Sequence, residues 1–337
     1  MKEISRRQML LSLPALATAP RLFAQTNGAP IRVRGINHVT LQVSDSKRSV
    51  DFYQGLFGMP VISRQGNTTV NLRIGSGPQF LGLNGGGGST PNINHICLAT
   101  ENFNVERLKT ILADHGIKDV RVRMRGPEAG GAKDGTAEFS FHDPGGILIQ
   151  LQDPRYCGGA GALGDVCPAP EASPKKGLMA LRNWSHTTNF VSDAAAANKF
   201  YQDVFGFRPQ AYQGPGAPVM GLGDGIQFMM SAGGGARGGA AAAPRPAGIN
   251  HICMSMDNFN PDSVIKILES YGIKPRGDAQ GTPPPLVHYI SLRMENRGGA
   301  KEGTPELYFT DPDGLLIQLQ DTKYCGGAGR LGEICTA

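Results

Sequence analysis

Four histidines occupy the same position in four related segments of the chain. The segments read INHVTLQV, INHICLAT, SHTTNFV and INHICMSM, and their histidines are His38, His95, His186 and His251. A single histidine among apolar residues of a strand is usually a buried group with satisfied hydrogen bonds. Neutral imidazole is also the commonest metal ligand. Because this histidine recurs four times, three times directly after an asparagine, we interpret it as a ligand.

Two glycine-rich loops repeat a second chemically useful group. Lys133 lies in GGAKDG and Lys301 in GGAKEG, with Arg123 and Arg293 a few residues upstream. A lysine in such a loop can simply be solvated. It can also close over an anionic or enolate-like substrate and stabilise its charge. Both interpretations stand, and we take Lys133 and Lys301 as candidate catalytic residues.

The chain repeats itself at two levels. GINHVTLQVSD at 35–45 matches WSHTTNFVSD at 184–193, and NINHICLATENFN at 92–104 matches GINHICMSMDNFN at 248–260. Each of the four units has a β-rich run, then a stretch with helical spacing, then two or three further strands. The sequence therefore predicts four βαβββ units, two in each half, and an α+β fold.

The repeats also set the domain boundaries. We expect a first domain over residues 30–167, a polar and proline-rich linker over 168–178, and a second domain over 179–337. The low-complexity stretch 231–248, rich in glycine and alanine, predicts a loop between the third and fourth units.

The first 24 residues have the features of an export signal. A short charged start is followed by an apolar run from Met9 to Ala19, and Leu22-Phe23-Ala24 suits a cleavage site. Arg6 and Arg7 resemble a twin-arginine signal, although an ordinary secretory signal can also contain two arginines. We therefore predict a periplasmic or secreted protein.

Composition narrows the range of partners. No other stretch approaches the roughly 18–20 apolar residues of a membrane span. The export signal holds four basic residues and one acidic residue, so the formal net charge of +5 falls to +2 without it. Such a small charge does not predict binding to nucleic acid or to a membrane. The expected partner is a small-molecule substrate or ligand, and the oligomeric state stays open.

The six cysteines form symmetric sets. The motif YCGGAG followed by a second cysteine ends each half, which in an oxidising compartment predicts two local disulfides, Cys157 with Cys167 and Cys325 with Cys335. Cys97 and Cys253 lie two residues after a histidine and share its strand face. They are either small buried residues or part of the site wall.

With these motifs the chain resembles the vicinal oxygen chelate superfamily, which includes glyoxalase I, extradiol dioxygenases and the fosfomycin and bleomycin resistance proteins. The resemblance covers residues 33–155 and 180–322. It implies that two βαβββ units pair into a curved mixed sheet around a cup. A divalent metal then lies in the cup, held by the first strand of each unit and by the last strand of one unit.

The resemblance places one ligand where this chain departs from the family. The family has glutamate at the last-strand position, whereas both halves here have glutamine within DPGGILIQL and DPDGLLIQL. An amide leaves more net charge on the ion than a carboxylate, so we expect weaker binding of Fe, Mn, Zn or Ni, or a cup without metal. The implied ligand sets are His38, His95 and Gln150, and His186, His251 and Gln318.

Two carboxylates on the preceding strand could replace the missing one. If DPGG is the whole hairpin loop, Gln150 pairs with Phe139 and Glu138 points to the other face of the sheet. The same argument applies to Glu306. Because one extra residue in the loop would reverse it, we keep both carboxylates as reserve candidates only.

Two functions remain from the resemblance. One is a metal-dependent enzyme, of the lyase/isomerase or ring-cleaving dioxygenase type, acting on a small oxygenated metabolite. The other is a non-catalytic protein that binds a small molecule in a metal-free cup, as bleomycin resistance proteins do.

Overall fold

The structure is a computed structural model that describes residues 28–86, 88, 90–233, 246–278 and 280–335. The predicted export signal therefore lies outside the described residues, as do residues 234–245 of the low-complexity stretch. No helix in the described ranges is long and apolar enough to cross a membrane.

The first half contains the first two predicted units. Each unit has one helix, and a short 3-10 turn at Pro127–Ala129 precedes the last hairpin. The elements are β1 (Val33–Gln42), α1 (Ser46–Phe57), β2 (Val61–Gln65), β3 (Thr69–Arg73), β4 (Phe80–Asn84), β5 (Asn92–Thr100), α2 (Val105–Asp114), β6 (Val120–Arg125), β7 (Thr136–His142) and β8 (Leu148–Gln152).

The second half repeats this order with one addition. Its fourth unit has an extra two-residue strand, β14, at the sheet edge. The elements are β9 (Asn183–Val191), α3 (Ala194–Phe205), β10 (Arg208–Tyr212), β11 (Pro218–Gly221), β12 (Phe228–Gly233), β13 (Gly248–Met256), α4 (Pro261–Ser270), β14 (Lys274–Pro275), β15 (Val287–Arg293), β16 (Thr304–Thr310) and β17 (Leu316–Asp321).

The strands form two curved mixed sheets, one in each half. Their orders are β2-β3-β4-β1-β5-β8-β7-β6 and β10-β11-β12-β9-β13-β17-β16-β15-β14. At the centre, the first strands of the two units pair antiparallel, β1 with β5 and β9 with β13. The last strand of each half then runs parallel beside β5 or β13. The predicted α+β fold of four βαβββ units is confirmed.

Local sequence signals explain where the helices begin and end. Asp45 precedes α1, and its side chain accepts a hydrogen bond from the backbone N–H of Arg48. Gly58 ends the helix with φ 65°, a left-handed conformation that glycine adopts without steric cost. Asp193 and Gly206 do the same for α3. Each first-unit helix thus has a side-chain N-cap and a glycine C-cap.

The two halves share one hydrophobic core. Successive residues of each strand point to opposite faces of the sheet. One face carries the histidines, and the other is apolar and packs against the helices. Helix α1 reaches the second half, where Phe52 contacts Phe309. Helix α3 reaches the first half, where Phe200 contacts Phe141. The helices therefore connect the halves rather than covering one sheet each.

A pair of tyrosine–aspartate hydrogen bonds reinforces this contact. The hydroxyl of Tyr53 donates to Asp311 at 3.1 Å, and the hydroxyl of Tyr201 donates to Asp143 at 2.7 Å. Both aspartates also accept the backbone N–H four residues later and so fix the last hairpin of each half. Each carboxylate thus stabilises a turn in its own half and accepts a hydrogen bond from a helix of the other half.

The last hairpin corrects one prediction. The loop has five residues, 143–147, because the backbone N–H of Asp143 bonds the carbonyl of Ile147. Strand pairing therefore places Ser140 opposite Gln150. Glu138 then lies on the same face as Gln150, so the prediction that it points to the other face was wrong. The extra loop residue shifted the register by one, and Glu306 is shifted in the same way.

Both predicted disulfides are present, Cys157 with Cys167 and Cys325 with Cys335. The segment that the first one closes covers one end of the first sheet. Its backbone carbonyls accept hydrogen bonds from Ser63 on β2 and from Arg125 on β6. The disulfide therefore stabilises this segment, residues 157–167, which lies between the two edge strands of the curved sheet and which we call the plug.

The buried Asp311 gives a testable pH dependence. Burial raises its pKa to about 6, despite hydrogen bonds that favour the carboxylate, whereas an unfolded aspartate has a pKa of about 3.9. Between pH 4 and 6 the folded chain therefore binds a proton that the unfolded chain does not. Stability should fall as pH rises through this range, by up to about 1.4 kcal/mol per pH unit.

The Asp311→Asn variant removes this contribution. In chemical denaturation at several pH values, the free energy of unfolding of the variant, relative to that of the wild type, should increase as pH rises from 4 to 6. Asp143, whose pKa burial also raises, predicts the same direction for Asp143→Asn. Parallel pH profiles for the wild type and both variants would contradict this account.

The first disulfide should contribute measurable stability. Replacing both Cys157 and Cys167 with alanine should lower the free energy of unfolding by about 2–3 kcal/mol, because the open chain gains conformational entropy when unfolded. Cys97→Ala is the control, since Cys97 is buried but forms no disulfide. A double variant as stable as the wild type under oxidising conditions would be the contrary result.

Candidate metal and substrate site

Strand pairing brings the predicted ligands of each half together. In the first half, His38 pairs with Cys97, and Cys97 pairs with Gln150. Paired residues on neighbouring strands project to the same face, so these three side chains form a row across the concave face, which we call the first cup. His95 lies two residues before Cys97 on that face and pairs with Thr40.

The second cup is the concave face of the second sheet. His186 pairs with Cys253, and Cys253 pairs with Gln318. His251 lies two residues before Cys253 and pairs with Thr188. All six predicted ligands therefore lie in two equivalent groups. Cys97 and Cys253 belong to the same rows but are fully buried, and burial raises the pKa of both thiols.

The side chains of the first cup meet closely. The Nε2 atoms of His38 and His95 are 3.3 Å apart, and the rings are nearly perpendicular. The amide of Gln150 lies near both rings and, by favouring their protonated form, partly offsets the lowering of their pKa by burial. His38 and Gln150 are buried, and His95 is half-buried. The group thus has two buried members and one that solvent can approach.

Hydrogen bonds fix which nitrogen of each ring carries the proton. Asn37 donates its amide N–H to the carbonyl of Tyr156, so its Oδ1 must face Nδ1 of His38, at 2.7 Å. Nδ1 of His95 faces Oδ1 of Asn94 at 2.8 Å. Both Nδ1 atoms therefore donate, and both Nε2 atoms keep a lone pair directed into the cup.

Two facing lone pairs fit a cation. Neutral rings with Nε2 atoms at 3.3 Å repel each other unless a positive charge lies between them. Nitrogen ligands about 2.1 Å from one ion stand roughly 3.0–3.4 Å apart, which matches this separation. The third donor is an amide oxygen, so no group of three His, Cys, Asp or Glu side chains exists among the described residues.

The second cup has a different hydrogen-bond pattern. Ser185 takes the place of Asn37, and its hydroxyl lies 3.1 Å from Nδ1 of His186. Nε2 of His186 lies 3.1 Å from Oε1 of Gln318, which can only accept. This Nε2 therefore donates a proton to Gln318 rather than presenting a lone pair. Only His251, bonded to Asn250, keeps the arrangement of the first cup.

The second cup is also more crowded. The ring of Tyr308 stands edge-on to His251, with centroids 5.3 Å apart, and stacks on Tyr289. The corresponding residue of the first half is Ser140, which contributes no ring. His251 is consequently buried, whereas His95 is half-buried.

Burial dominates the electrostatics of the histidines. It lowers the pKa of His38, as does the neighbouring His95, and it lowers the pKa of His95 to about 4. In the second cup, burial and then His251 lower the pKa of His186. The first-cup histidines are therefore neutral near pH 7, the form in which imidazole binds metal.

Sequence reasoning missed the aromatic floor of each cup. The ring of His38 stacks on Phe80 at 4.3 Å and lies 5.6 Å from the ring of Tyr156, and these two aromatic rings also contact each other. His186 contacts Phe228 and Tyr324 in the same way. The tyrosines belong to the repeated YCGGAG motif, which signalled the disulfide but not its position under the histidine.

The reserve carboxylates have partners of their own. Glu138 accepts hydrogen bonds from Arg125 at 2.6 Å and from the hydroxyl of Tyr156 at 3.0 Å. Glu306 likewise accepts from Arg293 and Tyr324. Arg125, rather than Arg123, is thus the counterpart of Arg293. Each of these carboxylates also binds the tyrosine of the aromatic floor, so their role is structural.

Lys133 and Lys301 lie at the plugged end of each sheet. Both are exposed, in turns that precede β7 and β16. Lys133 is three residues before Thr136, and Thr136 is four residues along the strand from Ser140, a distance of roughly 13 Å in a strand. The structure therefore does not bring these lysines beside the histidine groups.

Several solved structures share this fold. The Mn(II)-bound glyoxalase from Novosphingobium aromaticivorans aligns with TM-score 0.60 and 18% identity, over 86% of this chain and 82% of that one. A catechol 2,3-dioxygenase aligns with TM-score 0.57 and 17% identity, over 88% of each chain. A variant of homoprotocatechuate 2,3-dioxygenase from Brevibacterium fuscum aligns with TM-score 0.59 and 16% identity, over 89% and 75%.

A comparison with curated protein sequences finds no match. A family model does match, and it matches both halves separately, over residues 35–151 and 184–319. Each matched segment contains one complete histidine–glutamine group. The chain therefore belongs to the Glyoxalase/Bleomycin resistance protein/Dioxygenase superfamily.

Proposed function

We propose that the first cup binds a divalent metal ion through His38, His95 and Gln150 and that the protein is a metal-dependent enzyme. The facing Nε2 lone pairs of His38 and His95, 3.3 Å apart, carry this proposal. Asn37 and Asn94 hold the rings in the tautomer that metal binding requires. The site is thus ready for a cation without rearrangement of either ring.

The substrate would be a small oxygenated molecule. A bound divalent ion supplies Lewis-acid chemistry, because it polarises oxygen atoms that approach it. Phe80 stacks on one face of the His38 ring at 4.3 Å, and the ring of Tyr156 packs beside both, 5.6 Å from His38 and 6.1 Å from Phe80. His95 is half-buried, so a substrate can approach from its side of the cup. Lys133 has no part in this proposal.

The similar structures support metal chemistry of two kinds. One is a Mn(II)-bound glyoxalase and others are ring-cleaving dioxygenases. We infer the same general class here, lyase/isomerase or ring-cleaving, with Fe, Mn, Zn or Ni as the candidate ions. Residues 1–24 and the two disulfides support a site of action outside the cytoplasm.

We assign the second cup a lower metal affinity. Its His186 donates to Gln318, so a metal ion would first have to displace that hydrogen bond. Nε2 of Gln318 is also buried without a hydrogen-bond partner in the described structure. Tyr308 further narrows access to His251.

Metal content separates the two cups. Purified protein, loaded with Mn(II) or Zn(II) and then gel-filtered, should retain one ion per chain when measured by elemental analysis. His38→Ala should lose this ion, because it removes one of the two facing nitrogens. The matched variant His186→Ala should keep it. Wild-type protein that retains no metal yet binds a small molecule would instead indicate a non-catalytic binding protein.

Restoring the family carboxylate tests the glutamine. Gln150→Glu should tighten metal binding about tenfold or more, since a carboxylate bonds a cation more strongly than an amide does. The measurement is a competition titration with a chelating dye. Gln318→Glu in the crowded cup is the control and should change the first-site affinity little. An unchanged affinity in Gln150→Glu would contradict ligation by this residue.

A further inference from the structure

The row of ligands in the first cup continues onto two more strands. Gln150 on β8 pairs with Ser140 on β7, and Ser140 pairs with Arg121 on β6. Because paired residues share a face, Arg121 projects on the same side of the sheet as the metal group. Two strand spacings, roughly 10 Å, separate its backbone from that of Gln150. A ligand that contacts both residues must span about this distance.

The corresponding row of the second cup has the same residue types up to the glutamine, but the two residues beyond the glutamine differ. Gln318 pairs with Tyr308, and Tyr308 pairs with Tyr289. The four central positions are identical in type in both halves. They are Phe80 and Phe228, His38 and His186, Cys97 and Cys253, and Gln150 and Gln318. The halves therefore differ in what faces the histidine group rather than in the group itself.

The guanidinium of Arg121 is available to a ligand. It is exposed, and no described residue forms an ion pair with it. The other arginines of β6 are occupied, since Arg125 bonds Glu138 at 2.6 Å and Arg123 lies 3.8 Å from the same carboxylate. Arg121 is thus the cation of this strand that is not neutralised.

In the second cup a tyrosine, Tyr289, takes the place of Arg121. Its ring stacks on Tyr308 with centroids 5.1 Å apart, and the guanidinium of Arg276 lies over the ring of Tyr289, 5.1 Å from its centroid. The two rings occupy the positions that Ser140 and Arg121 have in the first cup. A ligand in the second cup would meet aromatic surface at this wall.

We propose that the substrate of the first cup carries a carboxylate and that Arg121 binds it. Arginine presents two parallel N–H donors that match a carboxylate. A metal-chelating group at one end and a carboxylate at the other would span the row from His38 to Arg121. Arg121 thereby determines specificity without being a metal ligand. This inference rests on the proposed function for the position of the other end of the substrate.

Two probes that differ by one carboxylate group test the proposal. Catechol and 3,4-dihydroxybenzoate share the vicinal oxygens, and only the second carries a carboxylate. Calorimetric titration of the wild type, with and without Zn(II), should show about tenfold tighter binding of 3,4-dihydroxybenzoate. Arg121→Gln should lose this preference while its binding of catechol and its metal content stay unchanged.

Arg123→Gln is the matched control. It removes the same charge from the same face of the same strand, but Arg123 already has a carboxylate beside it, Glu138 at 3.8 Å, so the preference for the carboxylate should remain. Thermal denaturation checks that both variants are folded. Equal binding of the two probes, binding of neither, or equal losses in Arg121→Gln and Arg123→Gln would overturn the proposal. If the metal site were absent but Arg121 still bound the carboxylate, the protein would retain no Zn(II) and would still prefer 3,4-dihydroxybenzoate to catechol.

Discussion

The antiparallel pairing of the first strands in each half is the constraint on which both cups depend. β1 with β5, and β9 with β13, place a histidine from each of two units on one face, although 57 and 65 residues of chain separate them. The last strand then joins the same ladder and adds the glutamine. The first unit of each half supplies one residue of the candidate ligand group and the second unit supplies two, so a complete group forms only when two units pair.

Around this pairing, the structure holds the histidines from three sides. An asparagine sets the proton of His38, His95 and His251, and the amide oxygen of Gln318 sets that of His186. An aromatic floor contacts His38 and His186, and the disulfide segment carries the tyrosine of that floor. In the first half one residue links two of these supports, because Asn37 bonds both His38 and the backbone of Tyr156. The disulfide thus stabilises the orientation of a side chain in the site.

Duplication gave two similar frameworks that have diverged at few positions. Asn37 corresponds to Ser185, Ser140 to Tyr308 and Arg121 to Tyr289. These changes leave the central row intact and alter the tautomer, the access and the charge around it. Meanwhile the helices of each half pack against the other half, and so the two cups remain parts of one folded unit. One cup can specialise while the other continues to stabilise the whole.

The sequence by itself determined the four units, the repeated histidines and both disulfides, because repeats, strand alternation and cysteine spacing are local or self-comparing signals. The resemblance to a known family then added the glutamine positions. Sequence reasoning misjudged the face of Glu138. One extra residue in the hairpin loop turns the facing side chains of the strand to the other side of the sheet, and the sequence does not show how many residues the loop contains. Only the tertiary structure decided which tautomer each histidine adopts, that Tyr156 lies beneath His38, and that Arg121 lies in the ligand row. Those properties depend on contacts between strands distant in the chain, which the order of residues does not reveal.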